Sequence, residues 1–190
     1  MPSLTATATA PPDRPRLWDI SPPLHAGSAV FPMDTPYSQQ WVARIGPGCP
    51  VNVSAITLSP HVGAHADAPL HYDDAGAPAG AMDLAPFIGP CRVIHAIGCG
   101  PLVRLSDLGH ALSDLPPRVL VRTYARTPLV HFDANGSAFA PEVIDALAAR
   151  GVVLVGIDSA SVDPSDSKGL PSHQRLRALD LRVLENLLLD

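Results

Sequence analysis

His61-Val-Gly-Ala-His-Ala-Asp-Ala-Pro-Leu-His71 packs three of the chain's eight histidines and one aspartate into a single short run. Three residues separate His61 from His65, one separates His65 from Asp67, and three more lead to His71. In an extended segment, alternate side chains share a face. That register puts His61, Gly63, His65 and Asp67 on one side and the small apolar Val62, Ala64 and Ala66 on the other. Two imidazoles and a carboxylate on one face make a metal half-site that suits zinc and is compatible with manganese or iron. Pro69 ends regular ladder pairing, so the chain is expected to turn there and swing His71 back toward the others. A helix would also bring His61 and His65 together, but Gly63 inside the run and Pro60 and Pro69 around it oppose one. A lone histidine is well explained by a solvated loop or a satisfied core. Three histidines and an aspartate in register are not.

A half-site needs partners from elsewhere in the chain. His173 opens a segment whose apolar positions, Leu176, Leu179, Val183 and Leu184, suit a helix. Glu185 interrupts the apolar run Val183-Leu-Glu-Asn-Leu-Leu-Leu189. A carboxylate there is costly to bury unless it is paired or binds a metal, and otherwise it faces solvent. Phe31, in a Pro-flanked turn region, suits either a pocket wall or a core anchor. Asp158-Ser159 forms a polar pair at the end of an apolar strand, where sites tend to sit.

Composition narrows the function classes. A chain of 190 residues with 46% hydrophobic and 16% charged residues is expected to be globular, with one domain over 17–190. Residues 1–16 are rich in Ala, Thr and Pro without periodicity and read as a disordered leader with no part in the chemistry. A formal charge of −5 gives no support for a nucleic-acid or anionic-membrane partner. No apolar run approaches the roughly 20 residues of a membrane span, and no signal core precedes Leu17. Three cysteines out of CxxC spacing point to a reducing, cytoplasmic setting, with Cys91 and Cys99 as small buried residues. No phosphate loop, nucleophile elbow or dinucleotide fingerprint competes with the histidine run.

The 22 prolines disfavour long helices and favour strands joined by stiff loops. Strands are expected over Leu17–Ser21, Trp41–Ile45, Val51–Leu58, Arg92–Ile97, Arg118–Thr123 and Val152–Ile157, the last buried on both faces. Short helices are expected over Leu84–Ile88 and Leu105–Leu112. Pro141–Arg150 is expected to be a longer helix that starts at its proline and stops at Gly151. His95, alone in its strand, is assigned to packing or a core hydrogen bond, and His110 to the surface.

The histidine run resembles the His-x-Gly-Thr-His-x-Asp-x-Pro-x-His signature of the cyclase family of metal-dependent amidohydrolases, with Ala64 in place of the commoner threonine. The resemblance covers Leu17 to the end of the chain. Leu17-Trp-Asp-Ile-Ser-Pro-Pro23, Asp67-Ala-Pro-Leu-His-Tyr72, Gly89-Pro-Cys-Arg-Val-Ile-His95, Arg122-Thr-Tyr124 and Gly156-Ile-Asp-Ser159 are similar to the formamidase members of that family, which act on N-formyl-L-kynurenine.

The resemblance implies an α/β (α+β) fold, a compact swivelling β/β/α arrangement with a mixed sheet and flanking helices, usually dimeric. It implies two divalent metal ions, zinc foremost and manganese next. His61, His65 and Asp67 match ligands of the first metal. Asp67 also bridges to the second, His173 matches a ligand of the second, and Glu185 matches a shared ligand. His71 matches the acid/base, and Phe31 falls where a tryptophan usually lines the substrate pocket. The implied reaction is hydrolysis of the formamide by metal-activated water, giving formate and L-kynurenine. Relatives that open isatin or act on cyclic amides share the motif. Family members typically continue beyond the position of Leu187-Leu-Leu-Asp190, so a final strand is expected to be missing, with Glu185 close to a fraying edge.

Overall fold

The computed structural model describes residues 17–190, so the leader expected over 1–16 lies outside the described residues. The central sheet comprises β3 (His65–Ala66), β4 (Cys91–His95), β6 (Arg118–Arg122), β8 (Leu154–Ile157) and β9 (Arg182–Glu185). Its order is β3-β9-β8-β6-β4, with β3 antiparallel to β9 and the other neighbours parallel. A two-stranded antiparallel ribbon pairs β1 (Ser38–Ala43) with β2 (Val53–Thr57). A short parallel pair joins β5 (Leu102–Val103) to β7 (Ala138–Phe139). The helices are α1 (Leu105–Leu108), α2 (Pro141–Ala148) and α3 (Pro171–Leu179). The fold is therefore mixed α/β, with one mixed sheet and few helices.

The sequence explains why the sheet is covered on both faces. All four residues of β8, Leu154–Ile157, are buried. Along β6 and β8, Val119, Val121, Val155 and Ile157 join the core shared with α2 and α3, while Leu120 and Leu154 join a second cluster with Leu187 and Leu189. This is the alternation of a strand buried on both sides. On α2, Pro141 supplies the first turn, and Val143, Ile144 and Leu147 are all buried at helical spacing. Parallel strands need crossovers, and α2 and α3 provide those into β8 and β9.

Several expectations are corrected. Leu17–Ser21 is not a strand, because Pro22-Pro23 stop a ladder from growing, although Leu188 N–H reaches the Ile20 carbonyl at 2.8 Å. The helix expected from His173 to Leu184 ends at Leu179. Asp180 takes a left-handed φ of 52°, and the chain then enters β9, where Val183 and Glu185 are buried and alternate with Arg182 and Leu184. The period there is two, not 3.6. Leu105–Leu112 is split, since the α-turn gives way to a 3-10 turn at Gly109. His95 and Cys91 are exposed rather than packed, because β4 is an outer strand of the sheet. Glu185 is not at an edge of the sheet: β9 lies between β3 and β8, and Leu187 and Leu189 beyond it are buried.

The histidine run is not one extended segment either. Residues 60–64 turn, and only His65 and Ala66 pair as strand. Gly63 makes the turn possible. Its φ is +74°, and a Cβ there would meet Leu24 Cδ2 at 2.4 Å. A left-handed backbone costs a non-glycine residue on the order of 1–2 kcal/mol before any clash is counted. Gly63→Ala is therefore expected to lower unfolding free energy by roughly 1–3 kcal/mol in chemical denaturation. A variant as stable as the parent would show that this turn relaxes freely.

Candidate functional site

Three separate elements deliver the polar cluster. The turn and β3 carry His61, His65 and Asp67, α3 carries His173 near its start, and β9 carries Glu185. His65 pairs with Glu185 across the antiparallel β3–β9 ladder, so strand register brings those two together. His61 Nδ1 lies 3.0 Å from His65 Nε2 and 3.3 Å from Asp67 Oδ1. His65 Nε2 is 3.5 Å from both Asp67 Oδ1 and Glu185 Oε2. His173 Nε2 is 3.2 Å from Asp67 Oδ2 and 3.6 Å from Glu185 Oε1. The structure thus brings all five expected ligand residues to one place.

His71 joins them from the 3-10 turn that Pro69 begins, its ring centroid 4.3 Å from that of His61. Two groups of three have ligand atoms close enough to share an ion: His61, Asp67 and His71, and His65, Asp67 and Glu185. Asp67 belongs to both. The triad that the resemblance implied is equally close, since His61 Nδ1, His65 Nε2 and Asp67 Oδ1 lie 3.0–3.5 Å from one another.

The donor set fits a cation. Asp67 Oδ1 is buried and has no hydrogen-bond partner, although two imidazole nitrogens face it. Ligands held at 2.0–2.1 Å around a tetrahedral zinc sit roughly 3.3 Å apart, which is the spacing found between these atoms. The outer ring nitrogens are also committed. His65 Nδ1 lies 2.9 Å from the Gly63 carbonyl, and His173 Nδ1 lies 2.7 Å from Asp163 Oδ2. Each contact fixes a tautomer that leaves Nε2 as the lone pair aimed inward.

Asp163 was not picked out from sequence. It sits buried in the loop before α3, where its carboxylate also accepts the backbone N–H groups of Ser172 and His173. One side chain therefore caps the helix and orients the imidazole. An aspartate ten residues before a histidine gives no local signal of this. Asn186 is a second such residue. Its left-handed backbone turns the chain after Glu185, and its side-chain amide donates to the His61 carbonyl at 3.2 Å. Glu185 Oε1 also accepts the Val162 N–H at 2.7 Å.

A cavity of about 420 Å³ opens beside the cluster and is lined by His61, His71, His173 and Glu185. Phe31 lines it too, meeting Phe132 edge-on with ring centroids 4.9 Å apart. Asp158, from the polar pair at the end of β8, reaches the cavity, but its carboxylate is taken up by the backbone N–H groups of Thr123 and Tyr124 and the Thr123 hydroxyl. Burial raises its pKa against those bonds. Its part is to hold the end of β6 against β8.

Protonation follows the carboxylates. Burial opposes a charged His65, but Asp67 and Glu185 outweigh it and push the pKa from 6.5 up to about 10. Burial likewise opposes a charged His173, and Asp163 and Asp67 push it up to about 10. Burial would raise Asp67, but His173, His61 and His65 hold it well below the usual carboxylate range. His71 moves the other way, because burial lowers it more than the nearby Asp67 raises it. In metal-free protein the stabilisation from His65 and His173 is fully present below the ordinary value of 6.5 and is lost as pH rises through about 10.

A cation must displace those protons. Zinc uptake near pH 7 is therefore expected to release about two protons per chain, with apparent affinity rising as pH increases. Calorimetry in buffers of different ionisation enthalpy measures this release. A binding enthalpy independent of buffer would contradict the assigned protonation.

The family model described as "Putative cyclase" matches residues 18–164. The chain is 66% identical over 178 residues to the kynurenine formamidase of Paracidovorax citrulli (strain AAC00-1), covering 92% of this chain and 82% of that protein. It is 65% identical over 175 residues to the kynurenine formamidase of Delftia acidovorans (strain DSM 14801 / SPH-1), covering 92% and 83%. Among solved structures, a potential metal-dependent hydrolase with cyclase activity superposes with a TM-score of 0.76 at 23% identity, covering 91% of this chain and 82% of that one. That last likeness is one of fold.

Proposed function

The chain belongs to the cyclase family, and we propose that it hydrolyses N-formyl-L-kynurenine to L-kynurenine and formate with the help of divalent metal. The observation that carries this reading is high identity, across most of the chain, to proteins named for that activity. The donor cluster beside an aromatic-walled cavity supports it.

We assign two ions, zinc foremost, with Asp67 shared between them. His61 and His65 take the first with Asp67, His173 takes the second, and Glu185, 3.5 Å from His65 and 3.6 Å from His173, is shared. Cations bound there would lower the pKa of a water molecule and polarise the formyl oxygen. The remaining work falls to side chains. Phe31 and Phe132 offer apolar faces and edges to the aryl ring and orient the formamide toward the histidines. His71 begins neutral, since burial disfavours its charged form. It accepts the proton of the attacking water and returns it to the aniline nitrogen as the carbon–nitrogen bond breaks, so that a neutral amine leaves with formic acid, which gives its own proton to solvent and departs as formate.

Two further readings belong to this proposal. A homodimer is supported by the β1–β2 ribbon, which exposes Trp41, Val42, Val53 and Ile56. A cytoplasmic setting is supported by three unpaired cysteines. No described helix is long and apolar enough to cross a membrane.

His71→Ala is expected to keep its metal and lose about 10²-fold or more in kcat, whereas Asp67→Ala is expected to lose metal and activity together. Elemental analysis beside an absorbance assay on N-formyl-L-kynurenine separates the two. Loss of metal from His71→Ala would make it a ligand, as its grouping with His61 and Asp67 allows. Phe31→Ala is expected to raise KM more than it lowers kcat, and Phe31→Trp to preserve or improve affinity. An unchanged KM in Phe31→Ala would reduce this residue to packing against Phe132.

A further inference from the structure

We propose that the same cavity carries a clamp for the zwitterionic amino-acid head of the substrate, with Lys168 holding the α-carboxylate and Asp133 the α-ammonium. The proposal rests on the formamidase reading. The substrate is an aryl ketone whose side chain ends in both charges, and a cavity that takes such a head without partners for it loses the hydration of each charge. The histidine cluster answers only the formamide end.

Lys168 is the only lysine in the chain, and it lines the cavity. No arginine lines it, so Lys168 is the one permanent cation among the described residues that face the substrate space. Among the described residues Lys168 enters none of the ion pairs, in which arginines and histidines take the carboxylates. Its ammonium is therefore available to a ligand.

The cavity carboxylates sort themselves by prior commitment. Glu185 sits among the candidate metal ligands, and Asp158 is filled by four backbone and hydroxyl contacts. Asp34 accepts one bond, from the Ser59 hydroxyl at 2.8 Å, and is set aside by place: its loop is held to Ser59 and Leu129, away from the segment of Lys168. Asp133 accepts the Tyr124 hydroxyl on Oδ2 at 3.0 Å and the Asn135 N–H on Oδ1 at 2.9 Å. Those bonds fix its direction and leave a lone pair on each oxygen. It directly follows Phe132, whose ring meets Phe31, so the carboxylate stands next to the aromatic wall.

The loops that carry the two charges are tied together. Ser165 Oγ donates to the Ala134 carbonyl at 3.1 Å, linking the segment before Lys168 to the segment after Asp133. Opposite charges on two linked loops, beside the wall that receives the ring, match a head that bears an ammonium and a carboxylate on one carbon.

The test compares N-formyl-L-kynurenine with ortho-formamidoacetophenone, which keeps the ring, ketone and formamide but lacks the amino-acid head. The metal-loaded parent is expected to prefer the full substrate, and Lys168→Met to cut that preference in kcat/KM by about ten-fold, mainly through KM. Lys168→Arg is expected to restore most of it, and Asp133→Asn to lower it as well. Binding of L-kynurenine, followed by its own absorbance, is expected to weaken in step. Equal parental rates on both substrates would overturn the clamp and leave the formamidase reading standing. An equal loss on both substrates in Lys168→Met would make the residue structural and also overturn it. A parent that hydrolyses neither would remove the formamidase reading and the clamp with it.

Discussion

Asp67 is 2% exposed, carries a negative charge, and has one oxygen without a hydrogen bond, with imidazoles on three sides. Burying an ionised carboxylate in that way is costly unless something positive answers it. In the metal-free protein, protons on His65 and His173 answer it, which is why both are pushed up to about 10. A cation of higher charge would answer it better, with the imidazoles as neutral ligands. The rest of the architecture holds these groups at that distance in either state. Gly63 makes the turn that aims His61, β9 holds Glu185 opposite His65, and Asp163 anchors both the start of α3 and the His173 ring.

This arrangement explains why a small enzyme needs so much of its sheet for one site. β3 is only two residues long and could not hold a register alone. It is fixed because β9 beside it is itself clamped to β8, whose residues are all buried. His65 and Glu185 therefore stand on strands whose positions are set by the core, with Asp67 directly after β3 and His173 on α3. Such support keeps donor atoms within the tolerance that a metal site requires. The cavity side is built differently. Phe31, Asp133 and Lys168 come from loops, where side chains can vary without disturbing the sheet.

Much of this was legible in the residues. His61, His65, Asp67 and His71 announced a metal site by type and spacing, and the structure does bring them together. They meet by another route than a single strand, because residues 60–64 form a turn. The signal for that turn is Gly63, the one residue in the run that adopts a positive φ at no cost. Glu185 was suspected because a carboxylate in an apolar run needs a partner, and its partner turned out to be the β3 side of the sheet. The period was misread there. Four residues are too few to tell a strand from the tail of a helix, so α3 was extended through Leu184.

Local chemistry, then, belonged to the sequence: the ligand types, the proline-started helices, the buried strand at Leu154–Ile157 and the aromatic at position 31. Those depend on propensity and on neighbours within one turn or one strand. The tertiary structure alone decided which distant residues meet. Asp163 and His173 join across a helix start, Asn186 reaches His61, and Ser165 ties the Lys168 loop to the loop of Asp133. It also decided that His95 is exposed while Glu185 is sealed in, because exposure follows from strand order and not from the residues on either side. The physical reason is that periodicity reports which way a side chain points relative to its own backbone. What lies in that direction is set by how the strands stack.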